Sequence, residues 1–109
     1  MPPRIEGLFW TEEAERHVEE HINAWEIGEL IEGGDYYRFS NRSGHRPNRW
    51  RFIGRIPGGI FVTAVLEEPG DGDPTKWQPV TGWRSDSYER KMYEQEQKRD
   101  ATKRGKRHG

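Results

Sequence analysis

Cysteine is absent from this 109-residue chain, which excludes disulfides and thiolate chemistry and fits a reducing compartment. Long apolar runs are absent too. No stretch approaches the roughly 20 residues needed to span a bilayer, and the N-terminus lacks a basic segment followed by an apolar one, so a soluble, cytoplasmic protein with no membrane partner is expected. Hydrophobic residues make up only 30% of the chain against 34% charged, which suits one small domain and leaves no room for a second core. Five tryptophans, four tyrosines and four phenylalanines must therefore supply much of the buried area.

The formal net charge of −1 hides a division along the chain. Residues 98–109 hold six Lys or Arg and one Asp, giving +5, whereas residues 1–97 hold twelve basic and eighteen acidic residues, giving −6. The basic end has no apolar residue beyond Ala101, so a single domain over 1–97 followed by a disordered tail over 98–109 is expected. Such a tail serves either as a solubilising end or as a contact for phosphates or an acidic partner.

Local patterns order the elements. Ile5 to Trp10 reads as a short strand, and Thr11 caps a helix reaching about Ile22, with Glu12 and Glu13 at its positive end. Asn23 and Glu26 form a second cap, Ile27, Leu30 and Ile31 give helical spacing, and Gly33-Gly34 stops the helix. Tyr36 to Phe39 is an optional strand, followed by a polar loop from Ser40 to Asn48 that carries Arg42, His45 and Arg46. From Arg49 the period is two: Trp50, Phe52, Gly54 and Ile56 share one face, and Arg49, Arg51, Ile53 and Arg55 the other. Pro57-Gly58-Gly59 turns the chain into Ile60 to Leu66, which is apolar on both faces, and Trp77 to Trp83 makes the last strand. Asp86 and Glu89 start a final helix reaching about Gln97. The resulting fold class is α+β: a small antiparallel sheet with two N-terminal helices and a C-terminal helix, in the order β-α-α-(β)-β-β-β-α.

Three constellations carry chemistry. His17-Val18-Glu19-Glu20-His21 fits the His-x-x-Glu-His pattern of inverted zinc proteases. The motif needs a third ligand and a cleft that so small a domain has little material to build, and the two histidines read instead as surface or helix-packing residues. No metal or organic cofactor is implied. Arg49, Arg51 and Arg55 stand on one strand face, a ladder able to hold successive phosphates or simply to pair with the acidic residues around it. Arg42, His45 and Arg46 upstream and Arg84 at the end of a neighbouring strand extend that basic cluster. At the last strand-to-helix junction, Arg84, Glu89, Arg90 and Tyr93 offer the parts of metal-free RNA cleavage. That chemistry needs a base for the 2′-OH, an acid for the departing 5′-oxygen and a cation for the phosphorane. Equally, Glu89 serves as a helix cap and Tyr93 packs on the sheet.

Several motifs in fixed order resemble a known family. Trp10, His21-Ile22, Arg49-Trp50-Arg51-Phe52-Ile53-Gly54, Gly59-Ile60-Phe61-Val62, Val80-Thr81-Gly82 and Glu89-Arg90-x-x-Tyr93 resemble, over residues 5–95, the BrnT toxins of bacterial type II toxin-antitoxin systems. The resemblance implies a RelE-like fold, endoribonuclease activity on mRNA, and a cognate DNA-binding antitoxin protein that neutralises the toxin. It carries over at Arg49, Glu89, Arg90 and Tyr93, implying catalytic roles for Arg49, Glu89 and Tyr93, with Arg84 the nearest match to a family arginine; the clustered Arg42, Arg46, Arg51 and Arg55, together with Arg90, are the expected RNA contacts. Where the family carries Ala-Arg before the last helix this chain has Gly82-Trp83, with Arg84 one residue later. A shift of one residue on a strand sends a side chain to the opposite face unless the turn has already begun. Two functions therefore stand: an endoribonuclease toxin, or a non-catalytic toxin-fold module that binds an antitoxin or nucleic acid. They separate on whether Arg84 converges with Arg49 or Arg51 and with Glu89 or Tyr93.

Overall fold

A computed structural model describes residues 5–40, 48–70 and 73–105. The expected Arg42, His45 and Arg46 lie outside the described residues. The chain runs β1 (Gly7–Leu8), α1 (Glu12–Glu19), α2 (Ala24–Gly33), β2 (Tyr36–Ser40), β3 (Arg49–Ile56), β4 (Ile60–Glu67), β5 (Lys76–Arg84) and α3 (Ser87–Gly105). The α+β class and the helix and strand order match the expectation. Among the described residues no helix is long and apolar enough to cross a membrane.

The caps work as their residue types dictate. Thr11 Oγ1 accepts from the Ala14 N–H at 3.0 Å at the start of α1, and Glu26 Oε2 accepts from the Asn23 N–H at 3.3 Å at the start of α2. Gly34, at φ 74, ends α2 in the left-handed conformation that a residue lacking Cβ adopts without strain. Ile56 pairs with Ile60 across a three-residue turn in which Gly58 and Gly59 have φ of 96 and 76.

Strand order in the sheet is β1-β5-β4-β3-β2. The β2, β3, β4 and β5 neighbours are antiparallel, but β1 pairs parallel with β5, Gly7 opposite Lys76 and Leu8 opposite Trp77. The expected all-antiparallel sheet is thus corrected to a mixed one. The first and last strands are joined through the whole domain, so no hairpin fixes their relative direction.

Alternation along β3 and β4 divides the sheet into two faces. Phe52, Ile56, Val62, Ala64 and Leu66 join Val18, Ile22, Ile27, Leu30 and Ile31 in one apolar core beneath α1 and α2. Gly82 belongs to that face: a Cβ there would meet Ile27 Cδ1 at 2.6 Å, so the missing side chain lets α2 lie close to β5. On the opposite face α3 covers Ile53, Thr63 and Val65, which are buried, and Tyr93 packs edge-on to Phe61 at 5.4 Å and tilted to Tyr37 at 5.3 Å.

The last helix runs eight residues beyond the expected end at Gln97, to Gly105. A composition rule for disorder weighs burial, but a helix already nucleated on the sheet adds one hydrogen bond per residue with no further nucleation cost. Local bonds assist: Arg99 meets Glu96 at 2.6 Å, and Thr102 Oγ1 donates to the Lys98 carbonyl at 2.9 Å. Residues 106–109 lie outside the described part.

Candidate functional site

The α3 face holds the arginine ladder, as the period of β3 requires. Its members sit among carboxylates. Arg49 Nε lies 2.9 Å from Glu67 Oε1 on the adjoining strand, and Arg55 Nε lies 3.3 Å from Asp35 Oδ2. Arg51 Nη1 is 3.9 Å from Glu89 Oε2, at the limit of an ion pair. The Arg51 Nε is buried with no hydrogen-bond acceptor among the described residues. A buried guanidinium N–H without an acceptor is costly, while the side chain as a whole stays 19% exposed, and it is that exposed part a phosphate oxygen could meet.

The junction between β5 and α3 is built around Glu89, whose side chain is nearly fully buried. The Glu89 N–H donates to Asp86 Oδ1 at 2.8 Å, and the Asp86 N–H donates to Glu89 Oε1 at 3.0 Å. This is a reciprocal cap with Asp in the first position. The Trp83 indole N–H adds donation to both carboxylate oxygens, at 2.9 and 3.1 Å. Thr63 and Ser85 hydroxyls hydrogen-bond at 2.7 Å just beneath, pinning the turn to β4.

Tyr93, one helical turn on, is 1% exposed. Its hydroxyl donates to Asp35 Oδ1, and the Arg55 guanidinium lies 5.5 Å from its ring. Burial, followed by the hydrogen bond to Asp35, pushes the Tyr93 phenol up to about 12, with Arg55 opposing. The proton is held firmly. Arg90 is exposed, with its guanidinium 5.9 Å from the Phe61 ring.

Arg84 does not join this group. Register places Trp83 opposite Thr63 and Arg84 opposite Val62, so Trp83 faces α3 while Arg84 faces α1 and α2. There its Nη2 lies 2.7 Å from Glu26 Oε1, on a carboxylate only 1% exposed. Arg84 lines a cavity of about 340 Å³ with Glu19, Glu20, His21 and Glu26. The expected convergence of Arg84 with Glu89 and Tyr93 is corrected: strand alternation continues through residue 84, because helix α3 starts only at Ser87.

His17 and His21 come within 6.1 Å, edge to face, and His17 Nδ1 is 3.7 Å from Glu20 Oε2. Helix α1 ends at Glu19, so His21 lies beyond it and not one helical turn above His17. Among the described residues no group of three or more His, Asp or Glu is placed to hold a metal ion.

Sequence reasoning missed Trp83, Asp35 and Glu26 as site-forming residues. The one-residue offset at Gly82-Trp83 was the signal for Trp83. Asp35 had none, since its partners come from β3 and α3.

No protein-family model matches the sequence, and no curated protein does. Among solved structures, the chain is similar to the 1.1 Å crystal structure of the Brucella abortus ribonuclease toxin BrnT. The two share 12% identity over 74% of this chain and 97% of that one, with a TM-score of 0.54. The likeness defines a BrnT-like toxin fold and extends to the fold alone.

Proposed function

We propose that this chain is an RNA-binding protein on a toxin fold, the non-catalytic one of the two readings, with a cognate antitoxin as its protein partner in the cytoplasm. The observation that carries the reading is Arg51: a partly exposed guanidinium on the sheet face whose Nε lacks an acceptor among the described residues, with Arg49 two residues along the same strand, about 7 Å away by strand rise. Two guanidiniums at that spacing, Arg49 already paired with Glu67, suit neighbouring phosphates of a single strand. Glu89, Tyr93 and Arg84 do not support cleavage. The Glu89 carboxylate is occupied by Trp83 and Asp86, the Tyr93 phenol is buried, and Arg84 is on the far face.

A second reading, endoribonuclease, draws on Arg49, Arg51 and Glu89 sharing one face and on the neighbour's being a ribonuclease toxin. Incubation with a mixed-sequence single-stranded RNA separates the two. The expected result is a fluorescence-anisotropy shift that weakens steeply with salt, with the RNA remaining full length on a denaturing gel. Fragments that disappear with Arg51→Ala would establish the nuclease instead, and intact RNA with no shift would remove both.

A further inference from the structure

The chain is divided electrostatically, and the described part of its basic end and an acidic cavity lie toward opposite edges of the sheet. Residues 98–109 carry +5 and residues 1–97 carry −6. Helix α3 follows directly on β5, the turn between them tied to β4 by the Thr63 to Ser85 bond, and reaches β2, where the Tyr37 hydroxyl meets Asp100 Oδ2 at 3.5 Å. The basic segment therefore leaves at the β2 edge, as helix as far as Gly105. Beyond Glu96 every side chain up to Thr102 is exposed except that of Asp100.

At the other edge, β1, the end of β4 and the start of β5 enclose a cavity of about 440 Å³. Phe9, Glu67, Glu68, Asp73, Lys76 and Gln78 line it; with Glu67 paired to Arg49, Glu68 and Asp73 stand against one lysine. Phe9 is 59% exposed, although it is a large apolar side chain. Two of the carboxylates are fixed in advance: Glu68 Oε1 accepts from the Trp50 indole at 2.7 Å, and Asp73 Oδ1 from the Thr75 N–H at 2.9 Å. Preorganised acceptors lower the ordering cost of binding a cation, and an exposed phenyl ring offers a surface along which lysine and arginine stems can lie.

We propose that the basic end of α3 docks in this acidic cavity on a second copy of the chain. The protein's own tail is directed the wrong way, because α3 crosses the sheet from β5 toward β2 and continues outward as helix, with the cavity behind it. Donor and acceptor are different surfaces, so the contact is heterologous and copies associate head to tail. Lys98 and Arg99 present that charge on exposed side chains, the sequence beyond them is basic, and the cavity's carboxylates receive it. This inference does not rest on the RNA reading, whose carrying residue, Arg51, lies outside the cavity, although Glu67 at the cavity pairs with Arg49.

Sedimentation velocity on the full chain tests it. The wild type is expected to associate at about 50 mM salt and to disperse at about 500 mM, where screening is severe. A chain ending at Gln97 lacks the donor. A Glu68→Gln, Asp73→Asn double variant removes the two cavity carboxylates that no cation pairs among the described residues, while keeping an acceptor oxygen for Trp50 and for Thr75. Each alone is expected to be monomeric at low salt, and an equimolar mixture of the two is expected to form a one-to-one dimer that grows no further. A monomeric wild type at low salt, association surviving either change, or no dimer on mixing overturns the proposal. So does a monomeric wild type whose RNA affinity falls on truncation at Gln97, which would assign the tail to phosphates.

Discussion

Tyr93→Ala is expected to destabilise the fold by about 4 kcal/mol, in the range for truncating a fully buried aromatic ring. The ring is 1% exposed and contacts Phe61 and Tyr37, so its loss opens a cavity between α3 and the sheet. Tyr93→Phe keeps the ring and removes the hydroxyl's contacts with Asp35 and Arg55, with an expected cost of about 1 kcal/mol because Asp35 is exposed and the Arg55 to Asp35 pair remains. Urea denaturation of the three forms reads both numbers. The phenol also sets a pH dependence. Its folded value, about 12, lies above its ordinary 10.0; the fold therefore favours the protonated form. That contribution is fully present below pH 10, and it is lost as pH rises from about 10 through about 12. Tyr93→Phe should flatten this alkaline loss, whereas an unchanged alkaline limb would show that the proton is not held here.

Glu89→Ala carries the second large effect, an expected loss of about 3 kcal/mol from a missing cap and an abandoned guanidinium. Its carboxylate closes the start of α3 through Asp86, accepts from the Trp83 indole and is the nearest anion to the Arg51 guanidinium. Glu89→Gln retains the acceptor oxygen and is expected to lose less than half as much. Thermal or urea unfolding decides between a cap and a base. A free general base is removed without harm to the fold, so wild-type stability in Glu89→Ala would contradict the structural role.

Much of the fold was legible because local chemistry and tertiary structure agree. Caps at Thr11, Asn23 and Asp86, the glycine stops and the period of two along β3 each mark an element that the structure contains. Parallel pairing of β1 with β5 was not legible, since two residues carry no directional signal and the partner strand lies almost 70 positions away. The helix beyond Gln97 was hidden because polarity speaks to burial and not to continuation of a helix already formed. The site was half legible. Periodicity placed Arg49, Arg51 and Arg55 on one face, yet gave no means of knowing that Glu67, Glu89 and Asp35 would stand opposite them. Arg84 shows how narrow the margin is: one position separates the residue that reaches Glu89 from the one that reaches Glu26.

The contrast between Arg51 and Arg84 tests the central claim most directly. Anisotropy titrations of a fluorescent single-stranded RNA with wild type, Arg51→Ala and Arg84→Ala, at several salt concentrations, give affinity and salt slope for each. The α3 face of β3 as the phosphate-binding surface predicts about a tenfold loss for Arg51→Ala, with the slope reduced by about one counterion, and wild-type behaviour for Arg84→Ala. Equal affinities for wild type and Arg51→Ala, or a larger loss in Arg84→Ala, would contradict the account and move the binding surface to the other side of the sheet.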